Sequence, residues 1–279
     1  MIIRCWGARG SIPVCGRKYL KYGGCTTCME LVGRDGRTVI VDAGTGIRSL
    51  GSRMLKEGRD RSSLIFTHAH MDHMMGFPFF RPIYFKRTRL ELFGCPFSQE
   101  GIAKMISRTM SPPSFPVNFK DVAATINTHG PCLSRFRIGS MAVTPIRLSH
   151  PGQGLGYDFE EKGRRFVFLT DNELTYKHPG GLEFADYRDF CEGADVLFHD
   201  AEFTAADYRR TRTWGHSVYT EALRLALEAK VKRFGLYHHN QERGDAAIDR
   251  MVARCRRIIR RRGSKLDCFA VRAGMQLEL

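Results

Sequence analysis

The stretch FTHAHMDHMMGF, Phe66 to Phe77, constrains this chain more than any other, because it sets His68, His70, Asp72 and His73 directly after the run SSLIF. An apolar run of that length ending in polar side chains reads as a buried strand that opens, at its C-terminal end, onto a loop. In an extended loop alternate residues face the same way. His68, His70 and Asp72 are therefore expected to converge, with His73 close by. This differs from HExxH, where a helix spaces the ligands. Imidazole and carboxylate together suit zinc, manganese or iron.

The same arrangement recurs along the chain. His150 ends IRLSH, Asp171 ends FVFLTD, His199 and Asp200 end VLFHD, and His238 and His239 end LYHH. Strand ends are where a rigid scaffold presents chemistry. Short strands dominate the first half: MIIRCWG, then CMELVG and RTVIVDAG around a hairpin turn at RDG. A helix is expected after DAGTG, on Ile47, Leu50, Met54 and Leu55, and another in QEGIAKMISRTM, whereas the proline-rich SPPSFPVNF can be neither helix nor strand. LGYDFEEKGRRFVFLTD reads as a hairpin turning at EKG, SVYTEALRLALEAK as a helix, and LDCFAVRAGMQLEL as closing strands. Two groups of strands interleaved with helices predict an α/β fold, two β-sheets packed face to face with helices outside, in a single domain spanning residues 1–279.

Composition narrows the classes. A chain of 279 residues with 43% hydrophobic content buries a sizeable core. No stretch approaches the roughly 20 apolar residues of a membrane span, and Arg4 falls where a signal peptide needs its apolar core. A soluble, cytoplasmic protein is the expectation, with no membrane partner. The nine cysteines are an odd number and scattered, which suits reduced thiols. Cys25 and Cys28 in CTTC have metal-ligand spacing, but no second pair answers them, and a structural turn explains them. The net charge of +15 attracts anions, phosphorylated substrates or nucleic acid. Much of it lies in RMVARCRRIIRRRG, where Ile248, Met251, Val252, Cys255, Ile258 and Ile259 recur at helical spacing and leave the arginines to a solvent face or a phosphate backbone.

These motifs carry a resemblance. THAHMDH matches the HxHxDH signature of the metallo-β-lactamase superfamily, and His150, Asp171 and His238 follow in the order of its later motifs. DAGTG resembles its DxGxG turn, implying that Asp42 buttresses the ligand loop. Within the superfamily the chain is similar to the phosphodiesterase branch: ribonuclease Z, the phosphoribosyl cyclic phosphodiesterase, and cyclic-nucleotide phosphodiesterases including anti-Pycsar-type enzymes. HDAEF resembles HEATF of ribonuclease Z, GHSVYTEALRLALEAKVKR resembles its GHS-x-EA-x-LA helix, and CWGARGSIPV…YGGCTTC resembles the start of small bacterial members, with Cys25 where an asparagine is more common. The resemblance implies an αββα sandwich and two divalent metal ions, zinc first, manganese or iron as alternatives. His68, His70 and His150 would hold one ion, and Asp72, His73 and His238 the other. Asp171 would bridge them. His239 is the alternative to His238.

Two ions about 3.5–4 Å apart activate water near neutral pH and polarise a phosphoryl oxygen, which points to hydrolysis of a phosphodiester by in-line attack. Asp72, His216 and Asp200 are the catalytic candidates: His216 in WGHS resembles the family's non-ligand histidine, a proton donor to the leaving alkoxide, and Asp200 orients it. A helix cap is the alternative role for His216. His129 and His178 sit in turn-like sequence, and His199 belongs to the core or behind the ligands. Arg9 and Ser11 in GARGSIP either meet phosphate or make a tight turn. Only a hairpin fits between His150 and Asp171, so the arm with which many ribonuclease Z proteins grip tRNA is missing from its usual place. A 3′,5′-cyclic nucleotide is therefore the expected substrate and a homodimer the expected assembly. The alternatives are tRNA 3′ processing, favoured by the charge, and a ribose 1,2-cyclic phosphate. Trp214, beside His216, could stack on a base in either case.

Overall fold

In the computed structural model, which describes residues 1–94, 101–130 and 134–279, two seven-stranded sheets form the body of the molecule. The chain opens with β1 (Ile2–Gly7), β2 (Cys28–Val32) and β3 (Thr38–Val41) and passes through α1 (Ile47–Lys56) to β4 (Arg61–Ile65). The helical turn α2 (Met71–Met74), β5 (Arg89–Phe93), α3 (Gly101–Thr109) and β6 (Thr125–His129) follow. β7 (Phe136–Ile138), β8 (Met141–Leu148), β9 (Gly154–Glu161) and β10 (Arg164–Leu169) begin the second sheet. α4 (Phe184–Cys191), β11 (Val196–Asp200), α5 (Ala205–Thr211), α6 (Tyr219–Glu228), β12 (Arg233–Tyr237), α7 (Asp245–Arg261) and β13 (Asp267–Ala270) complete it, and β14 (Gln276–Glu278) returns to the first.

The two sheets share one plan. In the order β14-β1-β2-β3-β4-β5-β6 the pairing is antiparallel up to β3 and parallel beyond it. In the order β7-β8-β9-β10-β11-β12-β13 the same change falls at β10. Parallel strands all end on the same side, so the loops that leave them gather at one edge, and the place where the pairing changes opens a crevice there. Asp42 lies just past β3 and Asp171 just past β10, so the two halves contribute an aspartate from matching positions. The sequence shows no repeat. The duplication is one of topology.

Side-chain alternation builds the core between the sheets. Val39, Val41 and Ile65 on one face meet Phe159, Phe166, Phe168 and Phe198 on the other, all nearly or fully buried. Each such side chain stabilises by roughly 1.5–3 kcal/mol, and the edge-to-face pair of Phe166 and Phe198, centroids 5.0 Å apart, fixes the packing further. Outside the first sheet, Leu50 and Met54 of α1 pack with Phe80. Outside the second, α7 buries Ile248, Met251, Val252, Cys255 and Ile259 and turns its arginines outward, as its periodicity predicts. The strand ends that carry the polar residues are thus anchored in a rigid apolar slab.

Three elements lie beyond the sequence reading. β6 is an edge strand with mostly exposed residues, so no apolar alternation announces it. α4 and α5 are short, but each begins with a capping box, Glu183 with Asp186 and Thr204 with Asp207, a readable start signal. Gln99 and Glu100, expected to open a helix, and Cys95 and Cys132 lie outside the described residues. The described cysteines are free thiols, and Cys28 packs in the core from β2. No described helix is long and apolar enough to cross a membrane.

Candidate active site

The HAHMDH segment is extended only as far as His70 (φ −68°, ψ 154°), after which Met71–Met74 close into a helical turn. The expectation of a wholly extended loop is corrected by this turn. It is what carries Asp72 and His73 inward, both buried, while His70 stays at the rim. Part of the motif is thus spaced by helical geometry after all. A second local feature has no signature in the sequence. Asp42 (φ 63°), Asp171 (φ 51°) and His238 (φ 56°) each adopt the left-handed conformation at a strand end. Such residues cost of order 1–3 kcal/mol each and persist only where the surroundings over-determine them. Here the backbone reversal swings each side chain off the strand axis toward the shared edge.

The residues singled out in the sequence come together in three overlapping groups. His68, His70, His150 and Asp171 form one; Asp72, His73, Asp171 and His238 form the second; Asp171, Asp200, His216 and His238 form the third, and within each group the atoms able to hold a metal lie within 4.8 Å of one another. Asp171 belongs to all three. Its Oδ2 is 3.5 Å from His68 Nε2, and its Oδ1 is 3.2 Å from His73 Nε2 and 3.3 Å from His238 Nε2. His70 Nδ1 lies 3.0 Å from His150 Nε2. His239, the alternative to His238, instead bonds the Val271 carbonyl from Nε2 (2.8 Å) and stays in the core. Nε2 of His68 and of His73 is buried with no hydrogen-bond partner. Buried polar atoms are seldom left so, and a set of imidazoles and carboxylates converging on open nitrogens fits divalent cations.

The far side of each ring is tied down. His73 Nδ1 donates to Asp42 Oδ2 (2.8 Å), His238 Nδ1 to Glu202 Oε2 (2.9 Å) and His150 Nδ1 to the Gly215 carbonyl (2.9 Å). These bonds fix tautomer and ring orientation and leave Nε2 facing inward. Asp42 also accepts from the Thr67 amide (2.8 Å) and hydroxyl, locking the loop, and the Ser11 amide donates to Asp72 Oδ2 (2.9 Å). Two glycines permit the close packing. A Cβ on Gly10 would lie 2.4 Å from the His238 ring, and one on Gly215 (φ 89°) 2.0 Å from His150 Nδ1. Glu202 and Gly215 are site residues the sequence reading missed; the second acid of HDAEF was the available signal.

Electrostatics divides the histidines. Burial and neighbouring imidazoles push His68 well below its ordinary value, and burial takes His150 down to about 3, so both hold the neutral, ligating form. Burial also opposes charge on His73 and His238, but Asp171 and Asp72 outweigh it, and both are raised well above normal. The carboxylates thus form a negative well that favours positive charge on these two rings, and a divalent cation meets the same demand. Beside this lies His216, whose Nδ1 donates to Asp200 Oδ2 (2.6 Å) and whose ring stacks on His238 at 4.8 Å. Burial lowers its pKa, yet the charges of Glu202 and Asp200 raise it to about 9.

The remaining expectations separate cleanly. Arg9 does not reach a phosphate: it is 1% exposed and spends its donors on the carbonyls of Gly23, Asn240 and Arg243. His129 ends β6 and pairs with Glu91, and His178 bonds buried Glu173. His199 is buried, bonds the Asp200 carbonyl and is pushed down to about 4 by burial. None of His129, His178 and His199 enters the three groups.

A beta-lactamase superfamily domain is matched over residues 37–239, which runs from just before β3 to His239. The chain belongs to that superfamily. It is 25% identical over 274 residues to a ribonuclease Z of Metallosphaera sedula, covering 82% of this chain and 87% of the relative. Among solved structures it resembles the metallo-beta-lactamase fold protein YhfI from Bacillus subtilis (TM-score 0.73, 17% identity, 100% and 98% of the two chains). It also resembles a diphosphatase from the PhnP family (TM-score 0.69, 18% identity, 100% and 97%). These structures share its metallo-β-lactamase αββα sandwich.

Proposed function

We propose that this hydrolase cleaves a phosphodiester, a 3′,5′-cyclic nucleotide first among candidates, with two zinc ions at the paired groups. His68, His70 and His150 hold one ion, Asp72, His73 and His238 the other, and Asp171 both. The ions supply water activation near neutral pH and neutralise phosphoryl charge. The observation that carries the reading is His216: a proton-bearing histidine, tied to Asp200 through Nδ1, stands against His238 and lines a cavity of about 390 Å³. An anion with a poor alkoxide leaving group needs such a donor more than an acyl substrate does.

The chain's own residues divide the work. Asp72 has one oxygen held by the Ser11 amide, and although burial raises its pKa, His73 and His238 keep its carboxyl well below the ordinary carboxylate range, so it would orient the attacking water as an acceptor. His216 gives its Nε2 proton to the leaving oxygen as the P–O bond breaks, and Asp200 keeps the ring in the donating tautomer. His216→Ala is expected to lower kcat by roughly 10²–10⁴ with metal content unchanged, and unchanged turnover would remove it from the reaction. The same reading takes residues 1–279 as one cytoplasmic domain. Exposed Ile12, Met71 and Phe79 support a homodimer.

A second reading has a specific observation behind it. The ribonuclease Z relative and the outward arginines of α7 favour tRNA 3′ processing, since phosphate neutralisation supplies non-specific affinity for nucleic acid. Between β8 and β10 there is only the strand β9 and its turns, with no arm to grip tRNA. Incubation of the metal-loaded protein with 3′,5′-cyclic nucleotides, a ribose 1,2-cyclic phosphate and a 3′-extended tRNA decides among them. Clean tRNA cleavage with every cyclic nucleotide intact would overturn the first choice.

A further inference from the structure

The cavity beside His216 has a wall that carries none of the ligand groups themselves. It is the loop from Asn240 to Arg243, held from behind with unusual thoroughness. Arg9 Nη1 donates to the carbonyls of Asn240 (3.1 Å) and Arg243 (2.9 Å), and the Tyr19 hydroxyl to the carbonyl of Gln241 (2.8 Å). The Asn240 side chain bridges Glu202 Oε1 (2.7 Å) and the Glu242 amide (3.0 Å). Burying a guanidinium against carbonyls alone is costly, and burial lowers the pKa of Arg9 accordingly. What the arrangement secures is the shape of a loop facing the cavity.

On that loop Gln241 lines the cavity, and its side-chain oxygen is buried with no hydrogen-bond partner. An acceptor in that state costs about 1–3 kcal/mol. The same cavity is lined by Trp214, whose side chain is among the most exposed large apolar groups of the described residues at 62%. Its backbone is nonetheless fixed: the Trp214 amide donates to the Thr211 carbonyl (3.0 Å), and the flanking amides of Thr213 and Gly215 donate to the buried carboxylate of Glu173 (2.9 and 2.8 Å). A bare indole on a rigid mount is a stacking platform, and a carboxamide whose oxygen is buried and unpartnered needs only a side-chain rotation into the cavity to act as an edge reader.

We propose that this cavity is a nucleobase pocket, in which the base stacks on Trp214 and its edge is read by the carboxamide of Gln241. The carboxamide pairs in two-point fashion with an amino donor beside a ring acceptor, as adenine offers at N6 and N7. A purine also covers more of the indole than a pyrimidine does. The occupant is therefore an adenine nucleotide, which rests on the phosphodiester reading above and narrows it.

The test reads binding apart from turnover. The chain has two tryptophans, so in the metal-loaded Trp6→Phe protein the indole fluorescence comes from Trp214 alone. Titration with AMP and with IMP, which carries an oxygen in place of the amino group, is expected to quench it, with AMP binding tighter by roughly 5- to 100-fold. Gln241→Ala should bring AMP down to the affinity of IMP. In a competition assay Trp214→Ala should weaken both by a similar factor and Trp214→Phe should restore most of the loss. Equal affinities for AMP and IMP, or an AMP preference that survives Gln241→Ala, overturns the pocket while leaving phosphodiester cleavage intact. Selective AMP binding in a protein that opens no cyclic nucleotide has the opposite meaning.

Discussion

β9 links two buried polar clusters of opposite character. At its start, Gly154 lies against His68 of the histidine–aspartate groups; at its end, Glu161 forms an ion pair with the amino group of Met1 (3.1 Å) and accepts hydrogen bonds from the Arg34 amide (2.9 Å) and the Ser140 hydroxyl. In the second cluster one acid meets one cation: Oε1 accepts both hydrogen bonds, and Oε2 is left to the ion pair. The first cluster crowds acids among imidazoles and leaves two ring nitrogens open. A polar cluster that serves the fold matches its charges within itself; one that awaits an incoming group gathers acids around nitrogens that no residue of the chain completes. The two differ in chemistry although one strand carries both.

Removing the ions should separate them most strongly. Treatment with a chelator is expected to reduce phosphodiesterase activity to background and to lower the unfolding midpoint, because cations at 100 times their Kd stabilise the folded state by about 2.7 kcal/mol. Zinc or manganese should restore both, and the Glu161 cluster should be indifferent throughout. Full activity in metal-free protein would end the distinction. A smaller effect is expected from Asp42→Asn. It keeps the shape but weakens the acceptor that holds His73 and Thr67, and metal affinity should fall by roughly 10- to 100-fold in an equilibrium titration. No change would mean that the turn α2 alone positions His73.

How much of this was legible in the sequence depends on the distance over which the signal acts. Apolar alternation gave the sheets, helical periodicity gave the buried face of α7, and the ligand types stood at strand ends as expected. What escaped needs three dimensions or a local dihedral. β6 lacks an apolar face because it lies on an edge. The left-handed backbone at Asp42, Asp171 and His238 falls at residues that carry no glycine signature. Arg9 stayed open between a phosphate contact and a tight turn because its burial is imposed in part by carbonyls more than two hundred positions away. Glu202 was in plain view, but its partner His238 is assigned only once β11 and β12 lie side by side.

The smallest expected effect sharpens the other half of the comparison. Burial by itself raises the pKa of Glu161, but the Ser140 hydroxyl, the Arg34 amide and the amino terminus lower it further than burial raises it, so its folded value lies below the ordinary one. A carboxylate depressed in this way adds stability above the unfolded value, about 4.3, and that contribution disappears as pH falls through the folded value. Glu161→Gln should therefore destabilise the protein by about 1–3 kcal/mol at neutral pH, measured by denaturant unfolding, with kcat unchanged. The gap between the two proteins should narrow on acidification below about pH 4 and close once Glu161 is protonated in both states. A gap independent of pH would show that Glu161 acts through shape rather than charge. The far cluster would then be no counterpart to the ligand site, since its contribution would not depend on a matched pair of charges at all.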